Sequence, residues 1–495
     1  MMVVTASWPG GRFGERVDGM DQFPLGRASF DPHPAAAERL WRHVIELLED
    51  ERRQVAQRDV SAPVDVRELR DAVGAYGFDR PAEPEAVIED VAELLRATTV
   101  HTTHPRYFGL FNPTPTLLGV VGETLAAAFN PQLAAWSHAP AAVEIEAHLL
   151  RFLGGRLGYP QEAVAGSFTS GGAEANMTAV LLALTRTWPE YGEKGLMALD
   201  GRPVMYASAE SHLAWLKIAH ACGIGRDAVR LVPAGPDLRM DTAALADRVA
   251  ADRANGDRPF LVVATAGTTA AGVIDPLHAL ADLCREQGMR LHVDAAYGGA
   301  AVLSDRLRPA LSGIERADSV TVDAHKWMSV PMGAGAFLCA DAEGLAETFR
   351  VTTSYMPAEI PDTVDPYTSG QQWSRRFMGL KLFLSLAVAG RDGYAEQLER
   401  DADLADALRA GLAAAGWDIV NDTPLPVVCF ADPGAATWEH HDALARKVVQ
   451  SGRAWISPVD LSGRAALRAC VISHRTAPAD VDELVRAVGE ARKAS

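Results

Sequence analysis

The sequence predicts an α/β protein built on a mainly parallel central sheet covered by helices, and three observations carry that prediction. The runs Leu261-Val262-Val263-Ala264-Thr265, Arg290-Leu291-His292-Val293-Asp294 and Ser319-Val320-Thr321-Val322-Asp323 are nearly all apolar. Strands covered on both faces read this way, whereas a half-exposed strand alternates. Between the first two lies a helix-like run, Leu277 to Gln287, followed by Gly288, a residue that tolerates the left-handed conformation closing many helices. Each strand-like run also ends in a hydroxyl or a carboxylate, and ligands of such sheets gather at the carboxyl ends of the strands.

The other elements follow along the chain. Ala35 to Gln57 places Leu40, Val44, Leu47 and Leu48 on one helical stripe, and Glu85 to Leu95 repeats the pattern, so residues 1–100 read as a helical arm. His101 to Pro115, dense in Pro, Phe and Tyr, reads as a turn-rich lead-in to a large domain over 101–390. From Arg391 a long Ala/Leu/Arg/Asp helix, two strand-like runs and a closing helix from Pro478 predict a small α+β domain over 391–495.

Across 495 residues, 47 Lys+Arg face 64 Asp+Glu, a net charge of −17 spread along the chain. Nucleic-acid and anionic-membrane binders need clustered basic residues, so neither partner is expected. Cys222, Cys284, Cys339, Cys429 and Cys470 stand singly, which predicts neither a disulfide framework nor a metal site. The apolar stretches Leu117 to Phe129 and Phe383 to Ala389 fall short of the roughly 20 residues of a membrane span. Met1 to Gly19 lacks the basic-then-apolar order of a secretion signal, and the amphipathic pattern begins only after Met20. A cytoplasmic location is the expectation.

Four constellations could carry chemistry. Asp323-Ala324-His325-Lys326-Trp327 follows a buried strand directly, where a desolvated lysine amine is held neutral and can attack a carbonyl. Taken singly, a His-Lys pair at a strand end is more often a snorkelling lysine. Asp294, closing another strand before Ala295-Ala296-Tyr297-Gly298-Gly299, could hold a pyridinium nitrogen protonated or could act as an ordinary cap. Thr169-Ser170-Gly171-Gly172 opens a helix that buries Met177, Val180, Leu181 and Leu184. Hydroxyls and glycines at a helix start suit a phosphate, and suit a plain capping loop equally. The segment lacks the lysine and glycine spacing of nucleotide-binding loops. His212, in Ser208-Ala209-Glu210-Ser211-His212, could stack on a planar cofactor.

In that order, with Thr265-Ala266-Gly267-Thr268-Thr269 between His212 and Asp294, the set resembles the group II pyridoxal-phosphate-dependent decarboxylases of the aspartate aminotransferase fold (fold type I). The resemblance runs from His104-Pro105 through Ser374-Arg375-Arg376-Phe377 to Leu467-Arg468-Ala469-Cys470. It implies pyridoxal 5'-phosphate as cofactor, Lys326 as its Schiff-base lysine, Asp294 on the ring nitrogen and His212 over the ring. Thr169, Ser170, Gly171 and Gly172, helped by His325, would take the phosphate, and Thr269 would lie beside the ring. The implied reaction is loss of the α-carboxylate of an L-amino acid as CO₂, with the product released as an amine. A homodimer with shared active sites is implied as well, and the uncovered stripe of the arm suits one.

In relatives a loop tyrosine returns the proton; here Tyr367 is the first candidate and Tyr355 the second. Without such a tyrosine the carbanion would meet oxygen and yield an aldehyde. Ala173 stands where many members have Thr, His138 interrupts the usual Ser-Pro-Ala reading, and Asn112 after Phe111 favours a polar substrate. The competing readings are decarboxylation-coupled oxidative deamination or β-elimination on the same fold, and, more distantly, a non-catalytic structural subunit.

Overall fold

The computed structural model describes residues 30, 32–351 and 360–493, so Tyr355 lies outside the described residues. Seven strands form the central sheet: β1 (Ala165–Thr169), β2 (Pro203–Ser208), β3 (Val229–Val232), β4 (Arg258–Thr265), β5 (Arg290–Asp294), β6 (Ser319–Asp323) and β7 (Gly335–Cys339). Their spatial order is β1-β7-β6-β5-β4-β2-β3. The run from β6 to β3 is parallel, and β7 is inserted antiparallel between β6 and β1. The predicted mainly parallel sheet is therefore present, with one reversed strand that the apolar pattern did not reveal.

Parallel pairing brings strand ends to a common edge. Thr265 lies opposite Asp294, Asp294 opposite Thr321, and Gly335 pairs with both Thr169 and Asp323. A side chain at Gly335 would put its Cβ 2.5 Å from Thr169 Oγ1 and 2.8 Å from Asp323 Oδ1. Only glycine fits where β7 enters that crowded edge.

Alternation along the strands sends residues to two cores. Val262, Ala264, Leu291 and Val293 face one side of the sheet. Met205, Ala207, Leu261 and Val263 face the other, against Val180 and Leu184 of the helix Gly172–Thr187 and Trp215 of the helix Ala214–Ala221. By the same period of two, His292 and Asp294 project toward this second side. The helix Leu277–Gln287 ends at Gly288 with φ 62°, as its sequence requires.

Among the described residues, the segment 391–495, expected as a small domain, forms a sheet of four strands where two were expected: β8 (Asp418–Ile419), β9 (Val427–Ala431), β10 (Ser457–Leu461) and β11 (Arg464–Cys470), antiparallel in the order β10-β11-β9-β8. β8 has two residues and β10 carries Pro458 and Asp460, so neither shows a clear period. An additional helix, Trp438–Gln450, packs on this sheet beside Pro478–Lys493 and the end of Leu380–Ala414. That last helix breaks at Gly390, with φ 67° and ψ 173°. Phe108, from the segment ahead of the large sheet, is buried in the small domain's core.

The arm comprises the helices Pro34–Gln54, Val66–Gly74 and Pro84–Thr98. Trp41, Ile45 and Leu48 stay exposed. The helix Leu117–Phe129 presents Leu117, Val121, Leu125 and Phe129, four residues apart, on an exposed stripe. Its other side packs on Leu380–Ala414 through Gly122, where a Cβ would come within 2.7 Å of the Lys381 Cα.

Candidate active site

Lys326 sits just past β6 on a turn in which its N–H donates to the Asp323 carbonyl. Its Nζ lies 3.2 Å from Asp323 Oδ2, a carboxylate whose side chain is only 2% exposed. The desolvated site that the sequence predicts for Lys326 therefore also holds an anion, Asp323. His325 accepts the Ala334 N–H at Nδ1, so Nε2 carries the proton. That edge of the ring faces Asp323 and Gly171, where a Cβ would sit 3.4 Å from His325 Cε1. Burial lowers the His325 pKa, with Asp323 opposing it.

Trp327, the next residue, is fully buried and donates from Nε1 to Asp401 Oδ2 at 2.9 Å, while Gln397 donates to Oδ1 at 2.8 Å. Burial pushes Asp401 up to about 7. The folded state thus holds a proton that the unfolded chain releases at about pH 4. The resulting stabilisation is complete below that value and is lost as pH rises through about 7. Asp401→Asn leaves Trp327 an acceptor and lets Gln397 turn its own amide oxygen inward. The variant is expected to gain on the wild type between pH 5 and pH 8, by up to roughly 4 kcal/mol, read as a widening difference in melting temperature.

Asp294 closes β5 and is 7% exposed. Its Oδ1 accepts the Ala296 N–H at 3.1 Å and its Oδ2 the Asn176 Nδ2 at 2.9 Å. Two donors, one on each oxygen, hold this carboxylate in a fixed orientation, with lone pairs left toward the strand edge.

Thr169 ends β1 and fixes the following turn by donating to the Gly171 carbonyl at 3.1 Å. Ser170 donates its N–H and its hydroxyl to Glu174 Oε2, at 2.9 and 2.7 Å, and Gln372 donates to both oxygens of the same carboxylate. Glu174 thereby claims the hydroxyl that sequence reasoning gave to a phosphate. Gly171 caps the helix Gly172–Thr187, whose first N–H groups have no intrahelical acceptor.

His212 is exposed after β2, its Nδ1 accepting the Ala214 N–H at 3.1 Å. Thr269 is exposed on the loop after β4, and its carbonyl accepts from Arg468. Tyr367 is buried in the turn Pro366–Thr368, stacked on Trp373 at 4.9 Å, with its N–H on the Ala134 carbonyl. Asn112 accepts from the Tyr107 hydroxyl at 3.0 Å.

Arg468 was read only as part of a matching run. It is 4% exposed and lies 5.5 Å over the Phe111 ring. Phe111 packs on Tyr297 at 4.2 Å, and Tyr297 on Trp327 at 5.5 Å, so an unbroken aromatic row joins Arg468 to the lysine turn. A lone arginine in a strand carries no local signal; only its exclusion from solvent distinguishes it.

A lysine, a donor-held buried carboxylate, a glycine-cradled helix start and a histidine N–H at one sheet edge are the groups that pyridoxal phosphate needs. Fold and site define the class: a pyridoxal-phosphate enzyme of fold type I. The pyridoxal-dependent decarboxylase conserved domain matches residues 70–432. The chain is 29% identical over 448 residues to an aromatic-L-amino-acid decarboxylase of Bacillus atrophaeus, covering 88% of this chain and 92% of that protein. It is 32% identical over 418 residues to an L-2,4-diaminobutyrate decarboxylase of Rhizobium meliloti, covering 81% of each. The crystal structure of mouse CSAD superimposes with a TM-score of 0.87 at 27% identity, over 92% of this chain and 99% of that one. The chain belongs to the pyridoxal-dependent decarboxylase family and is a pyridoxal-phosphate-dependent amino-acid decarboxylase, a carboxy-lyase. Among the described residues no helix is long and apolar enough to cross a membrane.

Proposed function

We propose that this decarboxylase works between Lys326, Asp294 and Arg468 on an L-amino acid and releases the amine. The observation that carries this reading is Arg468. Its guanidinium is buried, its Nε has no hydrogen-bond partner, and among the described residues no carboxylate pairs with it. A charge held out of water in this way calls for an anion, and the α-carboxylate of the substrate supplies one.

Lys326 would hold the cofactor covalently, Asp294 would pair with its ring nitrogen, and His212 and Thr269 would lie beside the ring. Gly171 and Gly172 offer backbone N–H groups to the phosphate, with Thr169, Ser170 and the His325 Nε2–H around it. Bound pyridoxal phosphate supplies the electron sink for the pair left behind as CO₂ departs. Arg468 fixes the carboxylate against the Phe111 side of the site, so that the bond to be broken is presented in one orientation. Tyr367 or Tyr355 returns the proton to Cα.

The experiment is a panel of L-amino acids, aromatic, acidic and basic, scored for CO₂ and for amine, aldehyde or pyruvate. CO₂ with an equal yield of amine supports the reading. Aldehyde in place of amine favours the oxidative alternative, and substrate loss without CO₂ would sink it. Comparing Tyr367→Phe with Tyr355→Phe for aldehyde formation identifies the proton donor. Arg468→Met is expected to lower kcat/KM roughly 10- to 100-fold, the scale of one charged hydrogen bond, mostly through KM, while bound cofactor keeps its visible spectrum.

The same reading makes the active form a homodimer in the cytoplasm. The exposed apolar stripes on Pro34–Gln54 and on Leu117–Phe129 suit burial against a second copy. The five cysteines are free and buried, in keeping with a reducing compartment. Leu125→Glu, in the middle of one stripe, is expected to shift sedimentation from twice the chain mass toward the single chain.

A further inference from the structure

The carboxylate assigned to the ring nitrogen stands at the end of a hydrogen-bonded row that runs back into the sheet. Asn176, on the helix Gly172–Thr187, donates from Nδ2 to Asp294 Oδ2 at 2.9 Å. Its Oδ1 lies 3.1 Å from His292 Nε2, and His292 Nδ1 lies 2.8 Å from Ser319 Oγ. Thr321 Oγ1 stands 3.3 Å from the same Nε2. Asn176, His292, Ser319 and Thr321 are all at most 4% exposed.

The direction of the row follows from its end. A carboxylate can only accept, so Asn176 presents its amide NH₂ to Asp294 and its oxygen to His292. His292 must then carry its proton on Nε2, which leaves Nδ1 bare to accept from the Ser319 hydroxyl. Every donor points toward Asp294. A doubly protonated ring would turn Ser319 into an acceptor, and burial works against it, pulling His292 down to about 4 while the nearby Asp294 and a hydrogen bond to the Ser319 backbone pull the other way. The edge of His292 also meets the Trp215 ring at 5.8 Å, which limits its rotation.

We propose that Ser319, His292 and Asn176 are positioning residues that hold the Asp294 carboxylate fixed in the plane needed by the cofactor's ring nitrogen. The proposal rests on the reading of Asp294 given above. A merely structural row would hold the helix on the sheet without altering how the cofactor is bound.

The test compares purified Asn176→Ala, His292→Leu, His292→Gln and Asp294→Asn. Each is measured for pyridoxal-phosphate dissociation constant, visible spectrum at fixed pH, and kcat and KM separately. Asn176→Ala and His292→Leu are expected to weaken cofactor retention and lower kcat about 10- to 100-fold each, with KM within about threefold and altered band ratios. His292→Gln, which can still donate to Asn176, is expected to recover most of the loss. In an Asp294→Asn background, Asn176→Ala should add little, since the two act as one unit. Wild-type affinity, spectrum and kcat in Asn176→Ala, beside an impaired Asp294→Asn, would overturn the relay and leave the Asp294 assignment standing. An unimpaired Asp294→Asn would remove both. Should a variant fail to fold, the histidine ¹⁵N spectrum of the unaltered, cofactor-free protein decides. A neutral Nε2–H tautomer for the buried ring is expected, and an Nδ1–H or doubly protonated ring would refute the row's direction.

Discussion

Lys326→Ala is expected to bring decarboxylation down by a factor on the order of 10⁴–10⁶, the scale on which enzymes lose a covalent catalytic group. Borohydride treatment should fix pyridoxal phosphate to the wild type and not to the variant. The reason lies in the turn after β6. It delivers Nζ to the same edge as Asp294, 3.2 Å from the Asp323 carboxylate that fixes its position. Among the described residues no other lysine occupies a comparable place: Lys381, buried nearby, is already committed to Glu123 and the Met332 carbonyl. A variant retaining even a tenth of wild-type turnover would refute the assignment of the lysine while leaving family and fold untouched.

Asp294→Asn is expected to cost kcat about 10²–10³-fold, comparable to removing one preorganised charge partner from a transition state. The side chain keeps its volume, so the strand end and the Ala296 N–H contact should survive. What is lost is the negative charge that holds a proton on the ring nitrogen. A cofactor methylated at that nitrogen carries the positive charge permanently, and it is expected to restore part of the rate to Asp294→Asn while doing little for the wild type. Steady-state CO₂ release with each cofactor form reads the difference. Equal rates for variant and wild type with the natural cofactor would show that the ring nitrogen takes its proton from elsewhere.

Legibility varied with the range over which each feature is encoded. The polar ends of β4, β5 and β6 were readable because an apolar run followed by a hydroxyl or carboxylate is a pattern within five residues. The stop at Gly288 and the glycine-rich start of Gly172–Thr187 were readable for the same reason. β7 escaped as a reversed strand, since pairing direction is absent from a run of apolar residues. In the small domain β8 and β10 were too short or too polar to show a period. The helix start and the resemblance set Ser170 beside a phosphate; what they do not encode is that its hydroxyl donates to a glutamate four residues ahead, braced by Gln372 from far along the chain. Tyr367 stands first among the proton-donor candidates; in the structure it is buried on Trp373, a contact that sequence position does not encode.

The sequence by itself determined the class of sheet and, through the ordered motifs that carry the resemblance, the family and its cofactor; it also put forward a lysine, a carboxylate and a phosphate loop as candidates, because each is written as a short local pattern. Only the tertiary structure decided which groups meet. Asn176 reaches Asp294 across 118 residues, and Arg468 reaches Thr269 across 199. Partners so far apart are joined by strand register and helix packing, and hydrogen bonding and desolvation depend on distance in space, not on position along the chain. Which apolar stripes would remain uncovered was decided there as well, since a helix's periodicity tells that it has an apolar face and not what covers it.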